Sequence, residues 1–220
     1  MLDCITLEPD SPATACVIWM HGLGADGNDF VPIVPELNLP TGHGVRFVFP
    51  NAPTMPVTIN GGYVMRAWYD IVSAELDKRA DEGGVRSSQA LIEELIADQR
   101  SKGIAADRIL LAGFSQGGVI ALQTGLRHPE KLAGIMALST YLACADSLGV
   151  EASAANRQIP LFMVHGSMDP VIPVALAKLS KARLETHGYK VEWHEYGMPH
   201  SVCAEEIDDI AAFLKRVLAL

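Results

Sequence analysis

Residues 15–20, 45–49, 109–112, 132–138 and 161–164 are apolar with little interruption. Short runs of this kind read as strands buried on both faces. Residues 2–7 alternate weakly and suit an edge strand, and residues 191–196 form the last strand. Between the strands the period changes. Leu91, Ile92, Leu95 and Ile96 share one helical face. Ser87 or Ser88 is placed to cap that helix, Lys102 falls in its last turn and Gly103 closes it. Residues 174–187 are helical, with Gly188 past the end. Residues 205–218 put Ile207, Ile210, Ala211, Leu214, Val217 and Leu218 on one face, with acids early and bases late as the helix dipole prefers. A short helix over 29–36 is interrupted by prolines. Residues 50–62 read as a loop, 81–84 as a surface turn and 139–156 as an irregular excursion. Strands separated by helices of about ten residues or more imply a mostly parallel sheet covered on both faces. The expectation is an α/β fold in one domain over 1–220.

One junction in this pattern carries chemistry. The apolar run at 109–112 stops at Gly113-Phe114-Ser115-Gln116-Gly117, and a helical apolar segment follows. Strand, sharp turn and helix are the context in which Gly-x-Ser-x-Gly presents a nucleophilic serine. Glycines two residues either side remove side chains that would collide in the turn. The alternative is an ordinary glycine-rich turn with a solvated serine.

Composition narrows the class. A chain of 220 residues with net charge −9 lacks the basic stripe that phosphate binding needs, so nucleic acid is not an expected partner. Cys4, Cys16, Cys144 and Cys203 have neither CxxC nor metal spacing, and read as reduced, mostly core thiols of a cytoplasmic protein. No signal peptide pattern and no run long enough for stable membrane insertion is present.

A serine hydroxyl needs a base, and the base needs an orienting carboxylate. In α/β-hydrolases the chain order is nucleophile, acid, histidine. Of the histidines after Ser115, His128 and His187 sit at helix ends and read as solvated, His194 is mid-strand, and His165 leaves no room for an acid loop before it. His200 follows the last strand and is the expected base. Asp169, held by Pro170, is the expected acid, with Asp146 its rival. The glycine-rich loop after Met20 lacks the lysine of a phosphate loop, and suits an oxyanion loop instead. The expected donors are the backbone N–H groups of Leu23 and Gln116. Leu23, Ser115, Asp169 and His200 all fall at carboxyl ends of strands, where sites lie in such sheets. No HExxH or paired-histidine spacing suggests a metal.

The blocks His21-Gly22-Leu23-Gly24, Pro50-Asn51-Ala52-Pro53, Pro56-Val57-Thr58, residues 65–70, residues 113–118, residues 165–173 and Tyr196-Gly197-Met198-Pro199-His200 resemble the phospholipase/carboxylesterase family, in order and nearly end to end. That family includes acyl-protein thioesterases, lysophospholipases and bacterial carboxylesterases. The resemblance implies an α/β-hydrolase without a large cap. It also implies a Ser115–Asp169–His200 triad, Leu23 and Gln116 as oxyanion donors, ester or thioester substrates, and no cofactor. Small members of the family can pair, so a homodimer is compatible with it. Tyr141 stands where eukaryotic thioesterases of the family carry a tryptophan, and Val171 where a leucine is common. The Gly-Met-Pro-His form resembles the bacterial carboxylesterases more. The expected activity is hydrolysis of short- to medium-chain acyl esters. Met65, Trp68, Tyr69, Tyr141 and Val171 would wall the acyl chain. The alternatives are a thioesterase or lysophospholipase using the same residues, or a non-catalytic module on the same fold.

Overall fold

Buried strands alternate their side chains between two apolar layers, and this explains why their sequences are apolar throughout. The computed structural model describes residues 1–73 and 80–220. Its main sheet contains β1 (Cys4–Leu7), β2 (Ala15–Met20), β3 (Val45–Pro50), β6 (Ile109–Phe114), β7 (Gly134–Leu138), β8 (Leu161–Gly166) and β9 (Val191–Tyr196), ordered β1-β3-β2-β6-β7-β8-β9. Only β1 runs antiparallel to its neighbour. Along β2, Cys16, Ile18 and Met20 face one layer, and Ala15, Val17 and Trp19 face the other. The first layer is completed by α2 (Glu82–Ser101), α3 (Gln116–Arg127) and α5 (Val174–Thr186), through Leu95, Val119 and Leu184. The second rests on α6 (Ala204–Val217), through Ile210, Phe213 and Leu214. No helix among the described residues is long and apolar enough to cross a membrane.

Several expectations give way. Residues 50–62 are not all loop, because β4 (Thr54–Val57) pairs with β5 (Tyr63–Arg66) as an antiparallel hairpin. Pro56 is tolerated because, among the described residues, this two-stranded ribbon leaves an outer edge without a strand partner. The turn expected at 81–84 is the start of α2. The Asp81 carboxylate, rather than Ser87 or Ser88, caps it by accepting from the N–H groups of Gly83 and Gly84. Glycine at 84 leaves room for close packing, since a Cβ there would lie 2.7 Å from Asp81 Oδ2 and 3.0 Å from the Tyr69 Cβ. Only α1 (Ile33–Glu36) of the 29–36 stretch is helical, and the 139–156 excursion contains a one-turn helix, α4 (Leu148–Glu151). His128 is buried rather than solvated, with Nδ1 2.7 Å from Glu93 Oε2. Of the cysteines only Cys16 is fully buried, although all of them are free thiols.

One polar group violates the core. Glu206, in the first turn of α6, has no exposed surface, and neither carboxyl oxygen has a hydrogen-bond partner among the described residues. Burial pushes its carboxyl up to about 8, partly offset by the nearby Cys203 backbone N–H.

Candidate active site

The parallel strands end on one rim, and the turn after β6 sets the geometry there. Ser115 has φ 55° and ψ −118°, a left-handed conformation that side chains rarely adopt. It is held by its own N–H donating to the Leu138 carbonyl at 2.9 Å, and by its carbonyl accepting from Thr140 Oγ1 at 2.7 Å. A Cβ on Gly113 would sit 2.1 Å from the Gly117 carbonyl oxygen, and one on Gly117 would sit 2.2 Å from that of Met20. The two glycines are therefore steric requirements of the turn.

Two neighbouring strand ends supply a histidine and a carboxylate. His200 Nδ1 lies 2.6 Å from Asp169 Oδ2. The other carboxylate oxygen accepts from the Val171 and Ile172 N–H groups at 2.8 and 2.9 Å. Asp169 is sealed from solvent while His200 keeps an exposed edge. With the proton on Nδ1 facing a carboxylate, Nε2 carries the lone pair. The loop bearing His200 is strapped to the acid loop. Ser167 N–H donates to the Tyr196 carbonyl at 2.8 Å and Met168 N–H to the Met198 carbonyl at 3.1 Å. The His200 ring packs on Phe114, centroids 4.7 Å apart, which brings it beside the serine turn.

Leu23, Ser115 and Gln116 line one small cavity of about 50 Å³, walled further by Tyr69, Ile71, Tyr141, Val171 and Ile172. The N–H of Gln116 is in the first turn of α3, where helical N–H groups have no internal partner. Among the described residues the Leu23 N–H donates to no carbonyl. The cavity therefore gathers the Ser115 residue with those of the two backbone donors, and the oriented His200 imidazole stands beside the turn against Phe114.

Of the five residues expected to wall an acyl chain, the structure brings Tyr69, Tyr141 and Val171 to this cavity. Trp68 is not there. Its indole is fully buried and donates to the His21 carbonyl at 2.9 Å, because the segment after β5 turns inward beneath the rim. Met65 sits on the hairpin, its sulfur 3.5 Å from Asn60 Nδ2. Ile71 and Ile172 were missed; only their neighbours Tyr69 and Val171 signalled them. His165, set aside as a base from the sequence, has a supporting place that the sequence did not signal. Its Nε2–H donates to the Ile172 carbonyl at 2.7 Å and lies 3.4 Å from Asp169 Oδ2, so it braces the acid loop. Burial holds its pKa below the usual imidazole range. Tyr141 also borders a larger cavity of about 430 Å³, between Leu142, Cys144, Leu176 and Arg183.

A serine at a strained strand-to-helix turn, with a histidine–carboxylate pair on later strand ends, defines an α/β-hydrolase. The chain belongs to the phospholipase/carboxylesterase family, whose description matches residues 3–218. It is 42% identical over 214 residues to acyl-protein thioesterase 1 of Neurospora crassa, covering 93% of this chain and 87% of that one. It is 38% identical to the protein of that name from Gibberella zeae, covering 94% and 92%. Its fold matches the crystal structure of Zea mays acyl-protein thioesterase 2 with a TM-score of 0.87 at 27% identity, over 99% and 100% of the two chains. It is a serine hydrolase of the thioesterase/esterase type.

Proposed function

We propose that the chain hydrolyses acyl thioesters and esters through an acyl-enzyme on Ser115. His200 Nε2 takes the Ser115 proton as Oγ attacks the substrate carbonyl. Asp169 keeps the imidazole in the Nδ1–H tautomer and stabilises the imidazolium. The Leu23 and Gln116 N–H groups receive the oxyanion. The imidazolium gives its proton to the departing thiol or alcohol, then activates the water that frees the acid. The observation that carries this reading is the 2.6 Å His200–Asp169 bond on the rim that holds Ser115 in its strained turn. The similarity to proteins named acyl-protein thioesterases favours thioesters over the simple esters suggested by the Gly-Met-Pro-His motif.

The cavity at Ser115 has room for only a few water-sized groups, which supports short or medium acyl chains while Tyr141 stands as its wall. The free cysteines agree with work in the cytoplasm. The test is stoichiometric labelling by a fluorophosphonate, together with kcat/KM across thioester and ester series of increasing chain length. Labelling at Ser115 with loss of activity is expected. A folded, active protein that is not labelled there would overturn the proposal.

A further inference from the structure

His21 lies one residue before the peptide pair that faces the serine, and both of its ring nitrogens are committed. Nε2 is 3.0 Å from the Ala52 N–H, which can only donate, so Nε2 must accept. Nδ1 is 2.7 Å from the Gly22 carbonyl, which can only accept, so Nδ1 must carry the proton. The ring is fully buried, which favours this neutral form. A trans peptide points its N–H opposite its C=O. Fixing the Gly22 carbonyl therefore fixes the direction of the Leu23 N–H. The preceding peptide is fixed as well, since the Trp68 indole donates to the His21 carbonyl at 2.9 Å. Trp68 reaches the other donor too. Its backbone N–H donates to Gln116 Oε1 at 3.0 Å, and Gln116 Nε2 donates to the Tyr69 carbonyl at 2.9 Å. Gly22 stands directly against the nucleophile: a Cβ there would lie 3.4 Å from the Ser115 Cβ.

We propose that His21 is a positioning residue whose Nδ1–H holds the Gly22–Leu23 peptide so that the Leu23 N–H faces the charge developing on the substrate carbonyl oxygen. This rests on Leu23 acting as an oxyanion donor. A side chain that only supported the loop would serve equally well with either nitrogen bonded. The proposal instead requires the Nδ1 bond and can spare the Nε2 bond.

Asparagine places an amide near the Nδ1 position and glutamine places one near Nε2, so His21→Asn and His21→Gln separate the two bonds. Both are assayed beside Ser115→Ala on a short-chain acyl thioester with detection of the released thiol. Loss of an oxyanion donor costs about 10²–10³ in rate. His21→Gln should lose about tenfold to a hundredfold in kcat with KM within about twofold, and His21→Asn should recover most of that loss. Equal kcat losses in the two variants that track their melting temperatures would overturn the proposal, as would an unchanged kcat in His21→Gln. The nitrogen-15 spectrum of histidine-labelled wild type needs no variant to fold. It should show His21 as the neutral Nδ1–H tautomer, and an Nε2–H tautomer would refute the inference. If Ser115→Ala is inactive while His21→Gln matches wild type, only the positioning role falls. If Ser115→Ala keeps its activity, the hydrolytic reading falls and this inference with it.

Discussion

Glu206→Gln should stabilise the protein by an amount that depends on pH. Burial raises the folded-state pKa of Glu206 from 4.5 to about 8. Below pH 4.5 the carboxyl is protonated whether the chain is folded or not, and the group contributes nothing to pH dependence. Between pH 4.5 and 8 the unfolded chain releases the proton and the folded chain keeps it. Stability therefore falls as pH rises through that window and levels off above it. Each pKa unit is worth about 1.4 kcal/mol, so the penalty is on the order of 5 kcal/mol above pH 8 and about 3 kcal/mol at pH 7. Glutamine keeps the shape of the protonated acid and does not ionise. Urea unfolding of both proteins at pH 5, 6, 7, 8 and 9 measures the difference. It should start near zero, widen with pH and saturate. For a chain of this size the plateau corresponds to a rise in Tm of about 10–20 °C. A difference that is constant across pH, or that narrows as pH rises, would refute the assignment of Glu206 as a buried protonated acid.

Other outcomes follow from the rim. Ser115→Ala should lower kcat by on the order of 10⁶, read as steady-state hydrolysis of a chromogenic ester. Ser115→Gly should be equally inactive yet melt above Ser115→Ala by about 1 kcal/mol, because only glycine relieves the positive φ. Gly117→Ala should express as unfolded or aggregated protein by circular dichroism, since its methyl group would meet the Met20 carbonyl at 2.2 Å. Tyr141→Ala should remove the wall between the two cavities and move the kcat/KM optimum to longer acyl chains. A tenfold change is about 1.4 kcal/mol, within the reach of one side chain, and an unmoved chain-length profile would count against that wall.

The sheet was legible, and the candidate residues on its rim could be named, because each leaves a local mark. Buried parallel strands are apolar throughout, and the serine turn needs glycines at 113 and 117 whatever surrounds it. His200 could be chosen because chain order and strand ends constrain a base strongly. What escaped depended on distant partners. Gly83 and Gly84 look like a turn until Tyr69 is seen packed against Gly84. Trp68 looks like a pocket wall because an aromatic ring in a loop carries no sign of which way it faces. Its hydrogen bonds to His21 and Gln116 join residues 47 and 48 positions away. The burial of His128 likewise follows from a contact with Glu93 on another helix.

The ties between the Asp169 and His200 loops give the rim an uneven capacity for change. Acid and base are joined to each other through backbone contacts across β8 and β9, including a Gly166 whose Cβ would strike the Met198 carbonyl oxygen at 2.3 Å. Variation in either loop must be matched in the other. The cavity walls at Tyr69, Ile71 and Tyr141 lie outside those ties. Descendants of this chain can therefore drift in what they accept while the proton-handling pair is inherited as a single block.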